Sequence, residues 1–255
     1  MNDQHPLATQ YERHQTLASG KIHETPWDAR TLGIPTYEID DLSQETLDIA
    51  AKLPGHFTIK VNPLADKRIL FEYGFYYCDT LLEPFCPRNR LLRFERDGIG
   101  LSKEHSLSDL LKICHGAFEH GRFHRDFNIS KELADLRYDR WLEQLYEMGD
   151  VIGFVVENEL VGFVATSKSK LVLHAIAPEW RGKGLAKYLW SAVCVELFKR
   201  GHDELQSSVS AANLPVMNLY ASLGFRFRNP VDIYHKLSRV PSPQDKKAGS
   251  LEHGF

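Results

Sequence analysis

Residues 179–186 read EWRGKGLA and join an apolar run, LVLHAIA (171–177), to a segment of helical periodicity, AKYLWSAVCVELFKR (186–200). A strand that feeds a helix through glycines leaves the first helical amides without intrahelical acceptors. They converge on one point, where the helix dipole adds partial positive charge. That point favours an anion. Gly182 and Gly184 remove the Cβ atoms that would hold a phosphate away from the backbone, and Arg181 and Lys183 supply counter-charge at the rim. A pyrophosphate fits this description. The turn is not a Rossmann fingerprint, because no third glycine and no ribose-binding acid follow at the needed interval. It is not a Walker loop either, since the lysine-serine pair is missing.

The rest of the chain decides how such an anion must be held. With 31 basic residues against 34 acidic ones the formal charge is −3, so no whole-protein field draws nucleic acid or an anionic membrane, and anionic ligands depend on local cations. A hydrophobic content of 43% over 255 residues is ample for one large core or two smaller ones. Cys78, Cys86, Cys114 and Cys194 form no C-x-x-C pair and no regular framework, which points to reduced thiols in a cytoplasmic protein. The first residues, MNDQHPLATQYERHQ, lack an apolar core of signal-peptide length, and no run of about 18 apolar residues occurs anywhere. The cysteines and histidines show no metal-ligand spacing, so no metal is assigned.

Periodicity divides the chain into two unequal parts. The seam falls near CPRNRLLRFERDGIGLSKEHS, where apolar spacing lapses and Arg88, Arg90, Arg93 and Arg96 crowd together as a linker or an entering edge strand. The expected divisions are a half-domain over 20–90, a catalytic domain over 91–238 and a flexible tail over 239–255. In the second part, a helix is predicted from Ser106 or Ser108, whose hydroxyls suit an N-cap, and another over SKELADLRYDRWLEQLYEM, with Leu133, Leu136, Trp141 and Leu145 as its apolar stripe. Three strand-like runs follow, VIGFVVEN, ELVGFVATS and KLVLHAIA, the first two joined at Asn158-Glu159 as a hairpin. After the glycine turn come a helix to about Arg200, a strand near ELQSSVSA, a short helix around LPVMNLYASLG and strands around FRFR and DIYHKL. The order is mixed α/β with an antiparallel start. The first part carries a fainter echo: TIKVNPLADKRILFEYGFYY has the form of SVSAANLPVMNLYASLGFRF, a strand, Asn, a short helix, an aromatic, Gly-Phe and a strand. An internal duplication with a degenerate first copy would explain it.

Arg181, Gly184 and Ala186 resemble the Arg/Gln-x-x-Gly-x-Gly/Ala motif of the GCN5-related N-acetyltransferases (GNAT). Asn213, Leu219-Tyr220 and Gly224-Phe225 are similar to that family's second segment. The resemblance covers roughly residues 91–237 and implies a GNAT fold with a mixed central sheet, here preceded by a smaller degenerate α/β half-domain, and acetyl-CoA as donor. It further implies that the pantetheine fills a gap beside the fourth strand of the fold, bonding the backbone of Leu173, Ala175 and Ile176. The turn from Arg181 through Gly182, Lys183, Gly184, Leu185 and Ala186 would hold the pyrophosphate, Asn213 would bond the pantetheine or cap its helix, and Tyr220 would sit near the coenzyme sulfur. A more diffuse resemblance, in Trp27 through Leu32-Gly33 and in Gly121-Arg122-Phe123, is to the TDP-fucosamine acetyltransferases of bacterial glycan synthesis.

Acetyl transfer needs an unprotonated amine placed against the thioester carbonyl, stabilisation of the oxyanion and a proton for the thiolate. A phenol of ordinary value about 10 is protonated at neutral pH, which makes Tyr220 the expected donor; packing against Phe225 is its other reading. Many relatives place a glutamate on the fourth strand, where this chain offers His174 as the only titratable interior position, a candidate base acting through water. Direct attack by an amine deprotonated in bulk would need no base. The acceptor is expected at HGRFHRDFN, where Arg122 and Arg125 can pair with a diphosphate and Phe123 or Phe127 can stack on a base or sugar, with Tyr138 on the following helix. A solvated charged loop would read the same way. The expected partner is a small-molecule amine, with a nucleotide-linked amino sugar as the expected acceptor, neither nucleic acid nor a membrane involved and a homodimer compatible with the sequence. Other acceptors, a peptide N-terminus, a polyamine or an amino acid, and a non-catalytic acyl-CoA-binding regulator stay open.

Overall fold

The structure is a computed structural model and describes residues 20–238. The tail expected at 239–255 lies outside the described residues. Contacts group the described residues into two units, one holding residues 20–77 together with 234–238, the other Cys78–Ile233.

In the first unit, β1 (Ile22–Glu24) pairs antiparallel with β2 (Thr36–Ile39), and β2 pairs parallel with β3 (Gly55–Val61). Two helices, α1 (Pro26–Leu32) and α2 (Gln44–Ala51), connect these strands, and a third, α3 (Arg68–Glu72), follows β3. Ile22, Ile39, Leu47, Phe57, Ile59 and Leu70 are fully or almost fully buried and form its core. Removing that apolar surface from water is what holds so small a unit together.

The second unit contains β5 (Ile99–Ser102), α4 (Leu107–Cys114), α5 (Lys131–Glu147), β6 (Val151–Val156), β7 (Glu159–Ser167), β8 (Lys170–Ile176), α6 (Ala186–Lys199), β9 (Glu204–Ser207), β10 (Val209–Ser210) and α7 (Leu214–Ser222). β4 (Tyr76–Pro87) and β11 (Arg226–Ser238) begin or end in the other unit. The sheet runs β4-β9-β8-β7-β6-β5, antiparallel except where β8 and β9 run parallel. One face packs α4 and α5 through Leu110, Leu142, Phe163 and Leu173; the other packs α6 and α7 through Val164, Leu189, Val193 and Leu223. This is an α/β fold with a mixed sheet, as the sequence predicts.

Several local expectations shift for physical reasons. The two units divide inside β4, between Tyr77 and Cys78, because β4 continues as a pairing partner of β9 as far as Pro87; the arginine-rich stretch lies within the second unit and leads into the edge strand β5. Ser106 and Ser130 cap α4 and α5, accepting from Asp109 N at 3.1 Å and Leu133 N at 3.3 Å. The β6–β7 turn lies one residue earlier than predicted, at Glu157 and Asn158, both with positive φ (48° and 68°). On α5 the inward positions are Ala134, Asp135, Leu142 and Leu145, whereas Leu136 is exposed, since Asp135 is drawn inside by a histidine partner. The final two strand-like runs form one strand, β11. All four cysteines are free and buried, and no helix of the described residues is long and apolar enough to cross a membrane.

Candidate active site

The site begins with a fault in the sheet. Pairing of β8 with β9 covers only Lys170↔Gln206 and Leu171↔Ser207, although β8 runs on to Ile176. At the same place the β7–β8 register slips, Ala165 opposing Leu173 while Thr166 opposes Leu171, so Val172 is an extra residue on β8. A bulge bends and overtwists its strand, which carries β8 away from β9. After Ser208 the chain pairs β10 with β4 instead, Val209↔Leu82 and Ser210↔Leu81. The part of β8 beyond Leu171, which holds Leu173, Ala175 and Ile176, therefore has a backbone edge that β9 does not cover.

The glycine turn lies at the end of that edge. Gly182 and Gly184 have φ of 73° and 70°, the left-handed region that side chains rarely adopt, and a Cβ at either would meet no protein atom within 4 Å. α6 starts at Ala186 with Leu185 before it and no side-chain cap, and among the described residues nothing accepts a hydrogen bond from the amides of Gly182 through Lys187. Arg181 Nε donates to the Ile176 carbonyl at 2.8 Å, fastening the turn to the end of β8. The Lys183 ammonium rests 4.4 Å from the centre of the Trp180 ring. Open amides, absent side chains and two exposed cations fit a pyrophosphate group.

Tyr220 and His174, 46 residues apart, meet here: His174 Nε2 and Tyr220 Oη are 2.9 Å apart. Tyr220 is fully buried on α7, tilted against Phe225 at 4.9 Å. Burial raises its phenol above the ordinary value, opposed by a hydrogen bond with Ser207, so the group stays protonated. His174 stands edge-on to Trp190 at 5.0 Å, and desolvation pushes it down to about 4, a neutral ring at physiological pH. Its partner is the phenol, not the acceptor loop. Asn213 caps α7, its Oδ1 accepting from Val216 N at 3.3 Å.

The acceptor loop is less open than its sequence suggests. Phe123 is 1% exposed, with the guanidinium groups of Arg122 and Arg137 at 4.9 and 4.6 Å from its ring, so it packs the loop and offers no face for stacking. Arg125 Nη1 donates to Asp79 Oδ1 at 2.6 Å, an engagement that competes with any diphosphate. Tyr138 stacks on Phe118 at 4.5 Å, and Gly121 makes room for its hydroxyl. Phe127 is 78% exposed, and the buried Nε of Arg122 has no acceptor.

Two groups in this region escape the sequence reading. Asp79 is wholly buried on β4; burial raises its carboxyl, opposed by the Ser210 hydrogen bond and by the charge of Arg125. An acid inside the strand-like run YYCDTLL was the available signal. His124 Nε2 lies 2.8 Å from Asp135 Oδ1, both side chains almost fully shielded. Nothing in local periodicity pairs a loop histidine with a residue on the next helix.

A strand edge left open by a bulge, an uncapped glycine turn and a buried phenol beside it define a domain of the acyl-coenzyme A-dependent transferase class. The family model "Acetyltransferase (GNAT) family" matches residues 105–225. The chain is an N-acetyltransferase with a segment similar to that family, whose members use acetyl-CoA as acetyl donor. Among solved structures, a GCN5-related N-acetyltransferase from Sphaerobacter thermophilus is similar at TM-score 0.58 and 13% identity, over 86% of this chain and 76% of that one. A functionally unknown conserved protein from Staphylococcus epidermidis is similar at 0.60 and 14%, over 90% and 96%. A tandem GNAT protein from the clavulanic acid biosynthesis pathway is similar at 0.50 and 13%, over 80% and 76%. At these identities the likeness is one of fold. No curated protein matches the chain.

Proposed function

We propose that the enzyme acetylates the primary amine of a small anionic acceptor, an amino sugar carried on a nucleotide as in the TDP-fucosamine acetyltransferases, by direct attack in a ternary complex. The observation that carries this reading is the buried Tyr220 phenol at the splayed strands, within the same unit as the uncapped turn. Bound acetyl-CoA supplies an activated thioester. The backbone of Leu173, Ala175 and Ile176 bonds its pantetheine arm, with Asn213 at the far side. The amides from Gly182 to Ala186, with Arg181 and Lys183, neutralise the pyrophosphate. Tyr220 protonates the departing sulfur. His174 acts as a positioning residue: with its proton on Nε2 it donates to Oη, freeing the phenolic hydrogen and steadying the oxygen when that hydrogen leaves.

On the acceptor side, the unpaired Arg122 Nε and the exposed Phe127 ring support an anionic, ring-bearing amine, with Arg122 in the anion-binding role. Residues 20–90 are read as a degenerate GNAT-like half-domain ahead of the catalytic domain at 91–238. Free, buried thiols favour the cytoplasm as its compartment. The test is a panel of aminated nucleotide sugars, arylamines and peptides with acetyl-CoA, read by released thiol. Arg122→Ala should raise the KM of the best nucleotide sugar about tenfold, the loss of one charge-assisted pair, and leave acetyl-CoA affinity unchanged. Uncharged amines turned over as efficiently as any nucleotide sugar would leave only the acetyltransferase.

A further inference from the structure

Asp79 carries an uneven set of partners. Its Oδ1 accepts from Arg125 Nη1 at 2.6 Å, Ser210 Oγ at 2.7 Å and the Thr80 backbone N–H at 2.8 Å. Its Oδ2, equally shielded, accepts from nothing. Leaving a buried charged oxygen without a donor is expensive in a folded protein, so a bound group that supplies the donor recovers that cost. Position indicates which group. Ser210 lies in β10, the strand to which the chain crosses once β9 has parted from β8, so Asp79 is one hydrogen bond from the segment that follows the splay. Arg122 acts on Asp79 through its charge and holds its own buried Nε without an acceptor. An empty acceptor beside an empty cationic donor suits a ligand whose ammonium stands next to an oxygen.

We propose that Asp79 is the catalytic residue of the acceptor side, its Oδ2 binding the acceptor ammonium and taking the proton that must leave before attack. This rests on the transferase reading above. The N–H bond breaks toward Oδ2 and the electron pair stays on nitrogen. Nitrogen then bonds to the acetyl carbonyl carbon as the carbon–sulfur bond breaks, and Tyr220 gives its proton to sulfur. The next proton to leave nitrogen restores the phenol, and Asp79 releases its own to water, one net proton per acetyl group transferred. The charged groups facing Asp79 are Arg125 and Arg122 from the loop between α4 and α5; Ser210 on β10 and Thr80 on its own strand are neutral. Burial raises the Asp79 carboxyl above its ordinary value, the direction a proton acceptor needs, opposed by the Ser210 hydrogen bond, the charge of Arg125, the Thr80 N–H and the charge of Arg122.

The experiment compares Asp79→Asn with the wild-type chain, using ethanolamine, an ammonium ion at pH 7, and hydroxylamine, already a free base there. Asparagine keeps the Oδ1 contacts, and calorimetric acetyl-CoA affinity reports on the fold. The ratio of kcat/KM for ethanolamine to that for hydroxylamine should fall about 10²-fold at pH 7, and the variant's ethanolamine rate should climb tenfold per pH unit toward the amine's own pKa. Equal losses for both nucleophiles, or none, would overturn the role of Asp79 and leave the transferase standing.

Discussion

The two halves of this chain each start a helix after a parallel-type strand, and they do it with opposite chemistry. In the first unit, the α2 amides are closed off: Ser43 Oγ accepts from Thr46 N at 3.3 Å, and Asp41 Oδ1 accepts in turn from Ser43 N and Oγ at 3.0 and 2.8 Å. A hydroxyl fills the anion position and a carboxylate stands beside it. In the second unit, α6 has no side-chain cap, two glycines at positive φ and two cations. The contrast repeats further along. In both halves a Gly-Phe pair closes a short helix with the same bond five residues back, Phe75 N to Leu70 O at 2.9 Å and Phe225 N to Tyr220 O at 3.0 Å. That bond makes Leu70 the counterpart of Tyr220. Each is fully buried, but only one can give up a proton. Packing is common to both halves while the reactive groups stand in one.

The strongest way to break the comparison is to close the open turn. Gly184→Leu places a side chain at φ 70°, where the glycine now leaves open space beside the amides. Loss of two charge-assisted amide contacts, about 1.5–3 kcal/mol each, should weaken acetyl-CoA by well over about 10²-fold in a protein that remains folded. Unchanged calorimetric affinity would remove the turn from the coenzyme site.

Next comes the phenol. Tyr220→Phe should lower kcat about 10²-fold with acetyl-CoA affinity intact, since a proton given in the transition state affects rate more than binding. Leu70→Ala, the matching position, should instead cost about 2–5 kcal/mol of stability and leave kcat of the folded fraction alone. A wild-type kcat for Tyr220→Phe, with chemistry rate-limiting, would reduce Tyr220 to the packing role that Leu70 has.

The fold and the glycine turn were readable because their signals are local. Alternating apolar residues mark β6 to β8, serines mark the starts of α4 and α5, and the turn advertises itself in adjacent residues. The acceptor half depends on tertiary partners. Whether Arg125 is available is decided by Asp79, 46 residues away, and whether Phe123 is exposed by the cations packed on its ring. The splay of β8 from β9 rests on a one-residue register slip that no composition reveals.

A smaller effect tests the electrostatics of the pair at the opening. His174 is held near 4, below its ordinary 6.5, so between those values the unfolded chain binds a proton that the folded chain refuses. Its contribution is fully present above about 6.5 and is lost as pH falls toward about 4, worth about 3 kcal/mol at most. Chemical unfolding of the wild type should weaken more steeply across that window than unfolding of His174→Gln. Parallel curves would show that the ring is not held neutral by the fold.

The smallest change probes the closed helix start. Ser43→Ala removes the acceptor for Thr46 N and the hydroxyl donor to Asp41, while the backbone N–H of residue 43 still reaches that carboxylate. Loss of an N-cap costs typically about 1 kcal/mol, which should lower the unfolding free energy by that much with little change in the denaturant slope. Asp41 still stands beside the freed helix start, accepting from the backbone N–H of residue 43, and in the wild type the Ser43 bonds hold its carboxyl below the usual range. The freed amides should therefore recruit no anion: the variant should bind one acetyl-CoA per chain, as the wild type does, with unchanged affinity. A second coenzyme per chain in Ser43→Ala would mean that a cap alone separates the two helix starts, and that the glycines and cations of 181–184 are not what makes the second one a site.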